Sequence, residues 1–247
     1  MQRTWAEFWG DVFLRRLPEL APDLDRRREE RAEWLWETLD LQPGARVLDL
    51  GCGNGMVGVS LARRGAQVTG VDRIGSLLAH AREQAGELPV TFQCNDLRAV
   101  CFAQGSFDAV MLLDVVGLMG RADDESLVRR SAGWLKPGGR MMVDCPHPPE
   151  ALSGTSAWDL PEGRVTLAST YDAATRLLHL EPTFHAADGT TLELYDPYDL
   201  LKPDHTGVLR YVYPEAELRA MLEEAGFAVR QLPHPSSEGH FVLLGRV

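Results

Sequence analysis

No segment constrains the fold of this chain more than Val47-Leu48-Asp49-Leu50-Gly51-Cys52-Gly53-Asn54-Gly55, an apolar run ending in an acid and then in glycines at alternate positions. The pattern reads as a strand turning directly into a helix. Glycine at such a turn can adopt φ > 0 and, lacking Cβ, admits a ligand close to the backbone. The unpaired N–H groups that open the next helix point at whatever lies above. The turn therefore predicts a cofactor-binding α/β domain.

Two overlapping patterns share these residues. Gly53-Asn54-Gly55-Met56-Val57-Gly58 satisfies G-x-G-x-x-G, the phosphate-binding fingerprint of dinucleotide enzymes, and Asp72 follows at about the 20-residue interval that fingerprint wants. From Asp49 to Gly55 the chain also reads D-x-G-x-G-x-G, with a carboxylate closing the strand. A carboxylate there opposes a pyrophosphate and suits a ligand that carries an amino group. The sign of that charge favours S-adenosylmethionine over NAD.

At these residues the chain resembles the class I S-adenosylmethionine-dependent methyltransferases of small-molecule type, and the resemblance continues in order. Arg46 to Gly51 is similar to the family's first strand, and Gln67-Val68-Thr69-Gly70-Val71-Asp72 to its second, whose final acid usually holds both ribose hydroxyls. Val90 to Cys94, then Asn95-Asp96, resemble the third strand and the acid near the adenine amino group, and Phe107 to Asp114 the fourth strand. Trp134-Leu135-Lys136-Pro137-Gly138-Gly139-Arg140, followed by Met141-Met142-Val143-Asp144, resembles the turn and fifth strand, with L-K-P-G-G the most specific later signal. These motifs cover roughly residues 40–147.

The resemblance implies an α/β fold with a Rossmann-like, mostly parallel seven-stranded sheet in the order 3-2-1-4-5-7-6, the last strand antiparallel, and helices on both faces. It implies S-adenosyl-L-methionine as methyl donor and S-adenosyl-L-homocysteine as product. The donor contacts it assigns are Asp49, Gly51, Cys52, Gly53, Gly55, Asp72, Arg73, Asn95, Asp96, Leu97 and Leu113. Plainer readings stand beside these. Asp96 alone is equally a helix cap or turn former. Asp114 either faces the methyl-transfer site or caps the segment Val115 to Leu118.

Ahead of this core lie two helical segments. Around Asp25 to Leu39, Ala32, Leu35, Trp36 and Leu39 fall at helical spacing behind the charged run Arg26 to Arg31, a solvated helix face. Nearer the N-terminus, Trp5, Phe8, Trp9, Val12 and Phe13 form an apolar stripe of high aromatic density. Such a stripe is commonly ordinary packing. In small-molecule members of the resembled family an N-terminal helix often closes over the cofactor, so Trp5 and Trp9 are expected to form part of a lid.

Past the fifth strand the texture changes. Asp144-Cys145-Pro146-His147-Pro148-Pro149 is expected to end the central strand, because prolines remove ladder donors, and a polar stretch follows to about Gly163. Strand-like runs then cover Arg164 to Tyr171, Arg176 to Phe184, Thr190 to Tyr195 and Val208 to Tyr213, with a hairpin turn at Ala187-Asp188-Gly189. They read as an antiparallel β insertion after the fifth strand. A helix from Pro214 to Ala225 and strands Phe227 to Leu232 and Phe241 to Val247 complete the core. The expected organisation is one domain over residues 1–247: a helical lid at 1–40, a cofactor-binding core at 41–147, a substrate-cover insertion at 148–213, and a last helix with two strands at 214–247.

Composition narrows the partners. The net charge of −11 argues against electrostatically driven nucleic-acid binding, which relies on Lys and Arg. No run approaches the roughly 18 apolar residues a membrane span needs, and the N-terminus lacks the apolar core of a signal peptide. Cys52, Cys94, Cys101 and Cys145 lack zinc-site spacing and read as free buried thiols in a reducing compartment. A cytoplasmic protein with a small-molecule substrate and no membrane or nucleic-acid partner is expected.

A sulfonium is already an activated electrophile, so catalysis needs mainly alignment of the acceptor and exclusion of water. If the acceptor must lose a proton, histidine is the apt base. His147, just beyond the fifth strand, is the first candidate and Asp114 the second; His185, His205 and His240 are alternatives. No acid cluster of the catechol-enzyme kind is evident, so no metal is expected. Leu113-Asp114-Val115-Val116 lacks the D/N-P-P-Y/F of base amino methyltransferases, and Cys145-Pro146 reverses the Pro-Cys of cytosine carbon methyltransferases. A catalytically silent donor-binding protein and an NAD-dependent oxidoreductase are the rival readings. Nothing in the sequence says whether nitrogen, oxygen or carbon receives the methyl group.

Overall fold

A computed structural model describes residues 4–146, 153–194, 207–234 and 240–247. Its main sheet is built on the parallel strands β1 (Arg46–Leu50), β2 (Gln67–Asp72), β3 (Val90–Cys94), β4 (Phe107–Leu113) and β5 (Leu135–Pro146). The apolar runs of β1, β4 and the second half of β5 are buried on both faces, as central parallel strands require, while β3 at the edge is largely exposed. The antiparallel β12 (His240–Arg246) lies against β5, and β11 (Ala228–Leu232) lies antiparallel to β12. The order is β11-β12-β5-β4-β1-β2-β3. That is the expected order 3-2-1-4-5-7-6, read from the other edge.

Alternation along the strands separates two apolar layers. Leu48, Val110, Leu112, Met141, Val143 and Leu243 face α4 (Arg121–Trp134) and α5 (Glu215–Glu224). Val47, Met111, Met142, Val242 and Leu244 face α1 (Trp5–Thr38) and α2 (Met56–Arg63), where Leu35, Leu39 and Leu61 meet them. α3 (Gly75–Ala85) packs over the β2 and β3 edge through Leu78 and Ala81. A second, antiparallel sheet takes the order β10-β8-β7-β6, formed by β6 (Gly154–Leu160), β7 (Gly163–Asp172), β8 (Leu177–Ala186) and β10 (Val208–Tyr211), with β9 (Thr191–Glu193) also paired to β8. The start of α1 docks on this sheet, where Phe8 and Val12 pack with Leu160, Val165, Phe184 and Leu194.

Several details differ from the sequence expectation. The two N-terminal helical segments are one helix of 34 residues, because its two apolar stretches bury against different partners, the second sheet first and the main sheet later. β5 does not stop before Pro146: that residue sits opposite His240 at the strand's last position, where a missing donor costs least. The Lys136 to Gly139 turn lies within β5, where the register against β4 jumps from Phe107 opposite Leu135 to Ala109 opposite Arg140. β6 was hidden in a stretch read as loop, since its small polar residues are mostly exposed at a sheet edge. Helix α5 begins one residue after Pro214, which is its N-cap. All four cysteines are free, but Cys94 and Cys101 are exposed and only Cys145 is fully buried. The hairpin at Ala187 to Gly189 forms as expected, with Gly189 at φ +89°.

Candidate active site

A cavity of about 540 Å³ opens at the carboxyl ends of the parallel strands, the edge where α/β sheets bind ligands. Its floor is the glycine turn between β1 and α2. Gly51, Gly53 and Gly55 all take left-handed φ, of +78°, +55° and +72°. They exclude a side chain for two different reasons. A Cβ on Gly51 would lie 2.4 Å from Val115 Cγ2, and one on Gly55 would lie 2.7 Å from Ala81 and from the Phe92 ring. A Cβ on Gly53 would meet no described atom within 4 Å, because Gly53 faces the cavity. The first and last glycines thus keep the turn packed, and the middle one keeps space for a ligand.

The acid at the end of β2 braces this turn. Asp72 Oδ2 accepts from the Gly53 N–H at 2.8 Å and Oδ1 from the Ile74 N–H at 2.9 Å, so one carboxylate joins two strand-to-helix turns while lining the cavity. Asp49 lies beneath the turn and not on the cavity wall; it is 3% exposed. Burial pushes its carboxyl up to about 7, with Asp72 adding to the rise and the Arg31 guanidinium opposing it. The Cys52 thiol is likewise pushed far up, first by burial and then by the charges of Asp49 and Asp72. It is a poor nucleophile.

Of the other predicted donor contacts, Arg73, Leu97, Leu113 and Trp5 line the cavity. Asn95 is exposed, its N–H bonded to the Asp72 carbonyl. Asp96 does not line the cavity; it pairs with Arg98 at 2.6 Å, and that hydrogen bond holds its carboxyl below the usual range. Trp9 lies on α1, and its side chain falls outside the described residues, as do His147 and His205. His185 is exposed on β8 between Thr166 and Thr191 and does not line the cavity. His240 binds Asp144 instead.

Two of the wall residues that sequence reasoning missed are polar. Asn54 lines the cavity with its Nδ2 buried and without a partner among the described residues. Its place inside the glycine motif was the available signal. Arg210, on β10 of the second sheet, pairs with Asp114 at 2.8 Å and donates to the Val116 carbonyl. Its Nε is buried without a partner among the described residues. No local pattern marks it. Asp114 itself stands at φ +60°, the left-handed region, with its side chain exposed at the cavity rim. Asp114 thus neither caps a helix nor ends a regular turn; its strained backbone presents a charge to the wall.

A buried polar post fixes the loop after Asp114. Asp124 accepts from the Gly117 N–H at 2.9 Å and from the Tyr213 hydroxyl at 3.0 Å. Burial pushes the Asp124 carboxyl up to about 7 despite those two donors. A Cβ on Gly117 would come within 2.1 Å of the Tyr211 carbonyl oxygen, so glycine permits the close approach of this loop to β10.

Residues 47–139 match a protein family described as a methyltransferase domain. A ubiquinone biosynthesis O-methyltransferase of Xanthomonas oryzae pv. oryzae (strain PXO99A) is 37% identical over 116 residues, covering 46% of this chain and 47% of that protein. The corresponding enzyme of Xanthomonas axonopodis pv. citri (strain 306) is 38% identical over 107 residues, 42% of this chain and 44% of its own. The chain thus spans about half the length of the curated relatives it matches. Among solved structures, an S-adenosylmethionine-dependent methyltransferase of Clostridium acetobutylicum ATCC 824 superposes with a TM-score of 0.71 at 16% identity, covering 90% of this chain and 91% of that one. The CcbJ methyltransferase of Streptomyces caelestis gives 0.69 at 20% identity, over 89% of each chain. CalS10, an amino pentose methyltransferase of Micromonospora echinaspora solved with S-adenosylmethionine bound, gives 0.66 at 20%, over 90% and 91%. Residues 47–139 thus match a methyltransferase domain, and the chain shares its fold with these solved methyltransferases.

Proposed function

We propose that the chain transfers the methyl group of S-adenosyl-L-methionine to a small-molecule acceptor, releasing S-adenosyl-L-homocysteine. The observation that carries this reading is the glycine turn, whose middle residue faces a cavity that residues of the second sheet close from above. The donor would supply an electrophilic methyl carbon. The residues fit it: the cavity accepts a ligand over Gly53, Asn54 offers an unpaired amide donor, and Leu97 and Leu113 offer apolar wall. Asp72 uses one lone pair of each oxygen on backbone N–H groups, and a carboxylate has about four such sites, so it can still accept ribose hydroxyls. Asp49, once ionised above its raised pKa of about 7, supplies negative field under the turn. That charge disfavours a pyrophosphate and therefore NAD.

The acceptor side is formed by Asp114 and Arg210 with Leu180 and Val208 above them. A planar guanidinium with an uncommitted N–H can orient an oxygen of the acceptor, and the apolar residues exclude water. Trp5 closes the wall from α1, in keeping with a lid at residues 1–40. His147 remains the proposed base where the acceptor must lose a proton. The division into lid, core, cover and C-terminal elements belongs to this reading, as does a cytoplasmic setting. Among the described residues no helix is long and apolar enough to cross a membrane.

Calorimetry with S-adenosylmethionine and with NAD tests the donor. Binding of NAD alone would refute the proposal. A homocysteine-release assay across amino sugars, phenols and amino acids tests turnover, and His147→Ala assayed from about pH 6 to 9 tests the base.

A further inference from the structure

Beside the parallel strand ends, β5, β12 and the residues just after β11 bring together three side chains that the sequence keeps apart: Asp144, His234 and His240. Alternation puts Asp144 and His240 on the same sheet face as Met142 and Val242, toward α1. His240 Nδ1 lies 2.8 Å from Asp144 Oδ1, and His234 Nε2 lies 3.3 Å from Asp144 Oδ2. One ligating atom from each residue falls within 4.8 Å of the other two. The Asp144 and His234 side chains are 4% and 6% exposed and that of His240 27%, so the group is sheltered yet reachable from one side. From α1, Arg31 donates to Asp144 Oδ2 at 2.6 Å.

We propose that Asp144, His234 and His240 bind a divalent first-row transition ion of the zinc type. Two imidazoles and one carboxylate form a set that zinc takes with a coordination position left open, whereas magnesium and calcium prefer oxygen alone. Ligand atoms about 2.0–2.2 Å from a common centre lie roughly 3–3.5 Å apart. The separations of 2.8 and 3.3 Å are close to that spacing, and the two imidazole nitrogens, within 4.8 Å of each other, must draw together to share an ion. Arg31 shares Oδ2 with His234 and leaves Oδ1 to His240, so Oδ1 is open to an ion while Arg31 supplies the outer hydrogen bond by which ligating carboxylates are commonly oriented. The ion ties β12 to the end of β5 and, through Arg31, both to α1. This site stands on its own side chains and not on the methyl-transfer reading.

Zn2+ titration of the full chain by calorimetry, without methyl donor, is expected to show one ion bound per chain, and Co2+ to give the visible absorption of a nitrogen and oxygen site. His234→Ala and His240→Ala should each weaken Zn2+ binding by at least the roughly 10- to 100-fold that even an outer hydrogen-bond partner is worth. His80→Ala, on α3, should bind as wild type does. Thermal melting reports whether either alanine variant is folded, and His240→Gln, at the more exposed ligand, replaces one that is not. Failure of the wild-type chain to bind Zn2+, or binding indifferent to both histidine changes, overturns the site. Because no donor is present, that failure would leave the methyl-transfer proposal untouched.

Discussion

The two walls of the cavity are made in different ways. One is local: Gly51, Gly53, Asn54 and Asp72 come from two consecutive strand-to-helix turns, and backbone geometry alone sets their positions. The other is assembled from afar. Trp5 comes from the start of α1, Leu180 from β8, and Val208 and Arg210 from β10, and each is placed by packing of the second sheet and the N-terminal helix. A donor that is the same across a family can be served by a contiguous motif. An acceptor that varies is served by a wall whose residues can change without disturbing the turn.

If this contrast holds, substitutions in the turn should act on stability and donor binding, and substitutions in the far wall on the acceptor. Gly51→Ala is expected to have the largest effect. Left-handed strain of about 1–2 kcal/mol adds to overpacking against Val115 of about 1–3 kcal/mol, a total near 3 kcal/mol read as a fall in Tm. Gly53→Ala, with the same strain and no clash, should cost about 1–2 kcal/mol of stability yet weaken the donor. Equal stability losses in the two variants would break the assignment of packing to one glycine and ligand space to the other.

Next in size is the pH dependence of donor binding. The buried Asp49 carboxyl, with its pKa near 7, keeps in the folded chain a proton that the unfolded chain releases near pH 4. The donor-free chain therefore loses stability as pH rises through that window. If the donor requires the carboxylate, its affinity should fall about tenfold per pH unit below 7, roughly 100-fold at pH 5. A flat profile by calorimetry would remove Asp49 from donor recognition.

In the far wall, Arg210→Ala should raise the acceptor KM on the order of 10- to 100-fold, the worth of a charge-assisted hydrogen bond, while leaving the donor Kd alone. Arg210→Lys should recover little, because an ammonium lacks the planar fork. A change in donor Kd of similar size would merge the two walls into one. The smallest effect is expected from Trp5→Ala, about 1 kcal/mol or fivefold in donor or acceptor affinity. Deleting residues 1–16 should exceed it, and unchanged binding and turnover after that deletion would end the role of α1 as a lid.

Most of the main sheet was legible because β1, β2 and β4 are short apolar runs closed by an acid or a glycine, a signal carried within a handful of residues. The strand order followed from the resemblance those runs support. Asp72, Leu97 and Leu113 were named the same way, and all three line the cavity. Asp96 was assigned by position and turns instead to Arg98, a neighbour two residues away that the motif does not include. β6 escaped notice because an exposed edge strand needs no apolar alternation. Arg210 and the group of Asp144, His234 and His240 carry no local mark at all.

The sequence by itself determined the strand-turn-helix unit over residues 47–55 and the series of strands that follows, since φ > 0 at a glycine and burial of an apolar run are decided within a few residues. Only the tertiary structure decided which charges share a space: Arg31 between Asp49 and Asp144, Arg210 beside Asp114, and two histidines around one carboxylate. Those pairings join residues up to 113 positions apart. They depend on how α1 and the second sheet pack against the main sheet, and no spacing rule along a chain encodes the distance between two surfaces that meet only on folding.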